Sequence, residues 1–269
     1  MGLKKILLTN DDGVLKPGLW AIYDVLSDLG EVTVVAPESM KSAVGMSITL
    51  HKPLRLRKIK FGGHVAYSCS GSPSDCVIMA VRHVYGGEGP DFVVSGINEG
   101  NNVSLQAVYG SGTIGAAIRA CLMGYPAAAF SLSLPEDSVP SAEWMKTMMA
   151  KAAAKAKPII SYLLQHGLPK GADYLNVNFP YMVSDSTPYV ITRAARNRYK
   201  ELVEERIDPR GKPYYWLKGE LRKDLEPGTD AYAVFVEKAI SITFMKADTS
   251  AAEKVDGSGL LNYLKTCEK

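Results

Sequence analysis

Residues 4–13 read Lys4-Lys-Ile-Leu-Leu-Thr9-Asn-Asp-Asp-Gly13, and this stretch decides the fold. A nearly continuous apolar run halted by four polar, turn-forming residues is how a parallel strand buried on both faces ends. Pro17-Gly18 then opens a segment with Leu19, Ile22, Tyr23, Leu26 and Leu29 at helical spacing, which Gly30 is expected to close. Val32-Thr-Val-Val-Ala36 is a second apolar strand, stopped by Pro37. Strand, helix and strand within about 35 residues form a βαβ unit with a right-handed crossover.

The alternation continues outward. A helix is expected over residues 74–85, a strand at 91–95 running out into Gly96-Ile-Asn98, a small-residue helix over 113–123 and a strand at 127–132. A long helix over 141–165 and a strand at 174–178 follow, with an antiparallel excursion between residues 48 and 68. The pattern predicts an α/β protein, a three-layer α/β/α Rossmann-like sheet, mostly parallel. After Pro188 the composition shifts to dense charge, then Tyr214-Tyr-Trp216, a strand at 239–243 and a terminal amphipathic helix over 251–264. This divides the chain into a Rossmann-like domain, 1–185, and a C-terminal extension, 186–269, with β-hairpins, a returning strand and a helix. The extension is read as an oligomer contact, because unpaired strand edges need covering.

Bulk properties remove whole classes. With 269 residues, the chain is long enough to bury about three quarters of its extended surface. A hydrophobic fraction of 46% and a charged fraction of 22% exclude disorder. A net charge of +3 is too small for a general nucleic-acid or membrane-surface binder, so no stable nucleic-acid partner is expected. No apolar run approaches the roughly 18 residues of a membrane span. The apolar run at the N-terminus is too short for a signal peptide and runs straight into aspartates. Cys69, Cys76, Cys121 and Cys267 form no Cys-x-x-Cys pair, which fits reduced, mostly buried thiols in a cytoplasmic protein.

In open α/β sheets, ligands bind beyond the carboxyl ends of the strands. There the chain places Asp11 and Asp12, Ser42, and Ser95-Gly-Ile-Asn98-Glu-Gly-Asn-Asn102. Two adjacent carboxylates repel unless solvated or bound to a cation. Asn-Asp-Asp-Gly is also turn chemistry in its own right, and Ser42 alone carries little signal. Oxygen donors from Asp11, Asp12, Asn98 and Ser42 suit Mg²⁺, Mn²⁺ or Ca²⁺ rather than Zn²⁺. Gly110-Ser-Gly-Thr-Ile-Gly115 spells the dinucleotide fingerprint but does not follow a first strand. It reads instead as either a phosphate-binding helix N-terminus or close helix–sheet packing.

These segments together resemble the SurE family of survival proteins: Asn10-Asp-Asp-Gly13, Ala36-Pro37 with Ser42-Ala-Val-Gly45 and Ile48-Thr49, Gly71-Ser-Pro-Ser-Asp-Cys76, Ser95-Gly-Ile-Asn98-x-Gly-x-Asn102 and Ser111-Gly-Thr113. Gly228-Thr-Asp230 and Ile240-Ser-Ile-Thr243 complete the match, which spans most of the chain in order. The resemblance implies a metal-dependent 5′-nucleotidase, a phosphoric monoester hydrolase acting on nucleoside 5′-monophosphates and also on 3′-nucleotides. It implies one divalent cation per subunit and a homodimer or tetramer. Carried over by position, the metal ligands are Asp11, Asp12, Ser42 and Asn98, with Asp11 and Asp12 catalytic. The phosphate contacts are Asn98, Asn102, Ser111, Gly112 and Thr113. Two departures are the extra Gly110 before Ser111, and Asn101 where proline or alanine is usual.

The mechanism expected is in-line attack by a metal-activated water, with Asp11, Asp12 or neither as proton acceptor. Covalent aspartyl chemistry is the competing enzyme reading, and a non-catalytic nucleotide-binding protein the competing class. The oxygen-rich strand ends offer little that would read a base, so broad base tolerance is expected.

Overall fold

The computed structural model describes residues 3–135, 138–250, 256 and 258–267. The strands are β1 (Lys4–Thr9), β2 (Gly30–Pro37), β3 (Leu56–Phe61), β4 (His64–Cys69), β5 (Phe92–Glu99), β6 (Ala127–Leu132), β7 (Tyr174–Phe179), β8 (Tyr189–Thr192), β9 (Tyr199–Ile207), β10 (Pro213–Leu221) and β11 (Ile240–Met245). The helices are α1 (Pro17–Leu26), α2 (Pro73–Met79), α3 (Ser104–Gly110), α4 (Gly112–Leu122), α5 (Ala142–His166), α6 (Asp230–Phe235) and α7 (Ser258–Cys267). The first residues of the terminal helix expected from sequence, 251–255, lie outside the described residues.

Nine strands form one sheet in the order β3-β4-β2-β1-β5-β6-β7-β11-β8. It is parallel from β4 to β7; β3 joins β4 antiparallel, and β11 joins β7 antiparallel with β8 parallel to it. Alternation within each central strand feeds two cores. Ile6, Leu8, Val34, Val94 and Phe130 face the layer of α1 and α5, while Leu7, Val35, Val93 and Ala129 face α2 and α4. The side chains of Ile6, Leu7 and Leu8 are fully buried, each contributing roughly 1.5–3 kcal/mol of transfer free energy. The three-layer α/β/α architecture expected from the sequence is therefore the observed one.

Several boundaries differ for physical reasons. Gly30 does not close α1, which ends at Leu26; it sits in β2 opposite Lys4, where a Cβ would lie 2.2 Å from the Lys4 carbonyl oxygen. The expected helix over 74–85 is an α-helix to Met79 followed by a π-helical turn at Ala80–Val84. Pro73 opens it, and Ser72 and Asp75 form a reciprocal capping box. Of the hairpins expected after Pro188, the described residues show one, β9–β10, closed by Asp208 accepting from the amides of Arg210 and Lys212. β8 and β11 extend the main sheet beyond β7. Cys69 and Cys76 are buried free thiols and Cys121 is a half-buried one. No helix among the described residues is long and apolar enough to cross a membrane.

Candidate active site

β1 lies between β2 and β5, so the strand order reverses beside it, running to β2 and β4 on one side and later to β5 and β6 on the other, and a crevice opens at its carboxyl end. Asn10 shapes the turn there: its side chain donates to the Gly13 carbonyl and accepts from the Gly13 amide. Gly13 has φ +119°, a conformation that disfavours other residues. The turn presents Asp11 and Asp12, 5% and 6% exposed, to a cleft of about 410 Å³. Ser42, Asn98, Asn102 and Ser111 line the same cleft, as do Lys16, Glu99, Gln106 and Gly110. Gly112 and Thr113, read from the sequence as phosphate contacts, do not line it.

Each group is held from a different direction. The Thr113 hydroxyl donates a short hydrogen bond to Asp11 Oδ1. The Glu99 amide donates to Asp12 Oδ2 at 2.9 Å. Asn98 Nδ2 donates to the Gly100 carbonyl at 2.8 Å, which leaves its Oδ1 as the atom free to meet a cation. The loop that carries Ser42 is tied at both ends, by the Lys41 amide to the Asp11 carbonyl and by the Gly45 amide to the Gly110 carbonyl. Gly110 thus anchors the loop that carries Ser42.

Asn102 sits in a buried polar network that its own sequence neighbourhood does not reveal. Its amide donates to Asn178 Oδ1, its Nδ2 donates to Ser131 Oγ, and its carbonyl accepts from Asn176 Nδ2. Asp230 closes the shell behind it, accepting from the amides of Ser104, Ala195 and Ala231. Gln106 links the cleft to the hairpin through Glu201 and the Tyr199 amide.

The electrostatics favour a cation. Burial pushes the Asp11 carboxyl above its ordinary range, against the pull of the Thr113 hydroxyl and the amides of Thr113 and Gly112. Asp12 is pushed up to about 7, by burial first and then by the charge of Asp11. Among the described residues neither carboxylate has an ion-pair partner, since Lys16 is paired with Glu99 at 2.9 Å. No group of three or more His, Cys, Asp or Glu among them could hold a metal ion. The donor set is two carboxylates with an amide and a hydroxyl oxygen, which suits a hard cation that keeps waters. The glycine-rich segment 110–115 runs from α3 into α4 rather than from a strand, so it is not a dinucleotide-binding turn.

A family model described as "Survival protein SurE" matches residues 6–201. The chain belongs to the SurE family. A protein named 5′-nucleotidase SurE from Methanocella arvoryzae is 44% identical over 254 residues, covering 93% of this chain and 94% of that protein. Its namesake from Methanothrix thermoacetophila is 42% identical over 265 residues, covering 98% and 99%. The crystal structure of the SurE protein from Aquifex aeolicus superposes with a TM-score of 0.80 at 35% identity, covering 97% of this chain and 99% of that one. The SurE resemblance read from strand-end motifs is thereby shown.

Sequence reasoning missed Lys16, Glu99, Gln106 and the trio Ser131, Asn176 and Asn178. A signal existed for the trio: polar residues inside otherwise apolar strands, where a buried amide needs partners.

Proposed function

We propose that this SurE-family protein is a 5′-nucleotidase, hydrolysing the phosphomonoester of nucleoside 5′-monophosphates with one divalent cation per subunit. The observation that carries the reading is the buried, adjacent Asp11–Asp12 pair, with the Lys16 ammonium in the same cleft paired to Glu99 rather than to either aspartate. Asp11, Asp12, Asn98 Oδ1 and Ser42 are the groups that would hold Mg²⁺, Mn²⁺ or Ca²⁺. Bound there, the cation supplies positive charge to a phosphoryl oxygen and acidifies a water. Thr113 and the Glu99 amide orient the two carboxylates, the role of groups behind a metal's direct ligands. Ser111 caps α4 by accepting from the Ile114 amide, which leaves its O–H able to donate to a phosphoryl oxygen. Asn102, fixed by its network, completes the phosphate side.

Small cleft-lining residues such as Ser42, Ala43 and Ala107 leave the base little to contact, which supports tolerance of several bases. The exposed Tyr215, Trp216 and Leu217 on a two-stranded hairpin, an element marginal on its own, support assembly into a dimer or tetramer. A cytoplasmic location accords with the free thiols.

Phosphate release from AMP with and without EDTA tests the reading. Activity that needs Mg²⁺ or Mn²⁺, and is lost in folded Asp11→Asn and Asp12→Asn, is expected. EDTA-resistant hydrolysis, or an Asp12→Asn variant with normal turnover at low metal, would overturn it.

A further inference from the structure

The cleft carries three carboxylates, Asp11, Asp12 and Glu99, and a single basic side chain among its described lining, Lys16. The Lys16 backbone is pinned by its amide to the Gly13 carbonyl at 3.1 Å, one residue before Pro17 opens α1. Its side chain is free to swing: it is 38% exposed and Nζ meets Glu99 Oε2 at 2.9 Å. Glu99 holds Asp12 through its backbone amide, and its carboxylate is paired with Lys16 among the described residues.

We propose that Lys16 is a direct contact for the substrate's phosphoryl oxygens and that Glu99 competes with the substrate for it. This rests on the phosphatase reading and extends it. In formal charge, three carboxylates, one ammonium and one divalent cation sum to zero; without Lys16 a phosphate dianion would enter a site of charge −1. An ammonium on a flexible stem suits this exchange, because it binds phosphate as a point charge and can leave one oxygen for another. Glu99 holds the amine at 2.9 Å on the wall of the cleft. When phosphate enters, the amine transfers to it, and the separation from Glu99 is the cost of binding.

The two side chains then have opposite effects. Lys16→Gln weakens phosphate binding, whereas Glu99→Gln releases the amine and strengthens it. A pair that only braced the cleft would give weaker binding on breaking from either side. The experiment uses the full chain with saturating Mn²⁺ and inorganic phosphate as probe, read by calorimetry and as a competitive inhibitor of AMP hydrolysis. For Lys16→Gln, the phosphate Kd and the KM for AMP are expected to rise about tenfold, with kcat changed less and the difference shrinking as salt rises. For Glu99→Gln, the phosphate Kd is expected to fall roughly threefold, the reach of a half-exposed ion pair. Lys16→Arg keeps the charge and tests the same contact should the glutamine variant not fold; its Kd is expected within about threefold of wild type. An unchanged Kd in Lys16→Gln, or weaker binding in both glutamine variants, would overturn the proposal. Wild-type protein that binds phosphate but leaves AMP intact would instead overturn the phosphatase reading.

Discussion

Replacing Thr113 by valine removes one hydroxyl while keeping the shape of the side chain, and it isolates the contact that orients Asp11. Thr113 is fully buried and its Oγ1 donates to Asp11 Oδ1, a carboxylate only 5% exposed, so water does not replace the lost donor. A hydrogen bond to a charged group is worth about 1.5–3 kcal/mol, and its removal leaves a buried acceptor short of a partner. The amides of Gly112 and Thr113 still face Asp11, which places the expected loss toward the lower end, about 1.5–2 kcal/mol. The effect on function is larger than on stability. Removing a group that orients a metal ligand typically costs 10–100-fold in metal affinity or activity. Urea unfolding of the metal-free protein gives the first quantity, and AMP hydrolysis titrated with Mn²⁺ gives the second. Thr113→Ser retains the hydroxyl and should recover most of both. Thr113→Val with wild-type metal dependence would refute the assignment of this hydroxyl to Asp11.

Two glycines in the site's surroundings should behave oppositely. A Cβ on Gly18 would lie 2.1 Å from the Ile97 carbonyl oxygen, so Gly18→Ala must push α1 off β5 next to Asn98; roughly 100-fold lower kcat/KM and about 1–3 kcal/mol less stability in urea are expected. Gly110, with open space around its Cβ position, should accept alanine with both quantities near wild type. Asp230→Ala leaves three amides without their acceptor and should cost roughly 2–4 kcal/mol. Burial raises the Asp230 carboxyl above its ordinary value, so the folded state holds a proton that the unfolded chain has released. Its stabilising contribution is complete below the unfolded value of 3.8 and is lost as pH rises through the raised folded value. The stability gap between wild type and Asp230→Ala, measured from pH 4.5 to 7.5, should therefore narrow with rising pH; a widening gap would contradict the raised value.

The sheet was legible because burial on both faces leaves a composition that no surface element shares. Residues 127–132 were read as a strand and form β6 with all six side chains buried. Elements without that contrast escaped. α3 spans seven residues just after Asn101-Asn-Val103, where turn-forming side chains mask a helix too short to show a period. β8 is four residues on the sheet's edge, half of them exposed, with no alternation to read. Gly30 carries the same letter as a helix stop and was read as one. Its real constraint, the approach of the Lys4 carbonyl, exists only once β1 and β2 are paired.

The site divides along the same line. Asp11, Asp12, Ser42, Asn98 and Asn102 could be placed near one another from sequence because the topology of a doubly wound sheet brings strand ends together whatever their side chains do. Side-chain partners are set by register instead. Thr113 and Asp11 are 102 positions apart, and Lys16 and Glu99 are 83 apart. The decisive register feature is in β5, where Ser95 pairs with Ala129 but Asn98 pairs with Ser131, so one extra residue is accommodated between them. A slip of one residue exchanges the two faces of a strand. Counting by twos from Ser95 therefore puts Asn98 on the wrong side. The clue was Gly96, a glycine inside an apolar strand. It adopts φ +129°, and a Cβ there would lie 2.3 Å from the Phe130 carbonyl oxygen. Read as a bulge rather than as part of a motif, that glycine puts Asn98 on the face opposite to the one that counting by twos gives, while the Glu99 amide turns to Asp12 because the ladder with β1 ends at Thr9 opposite Ser95.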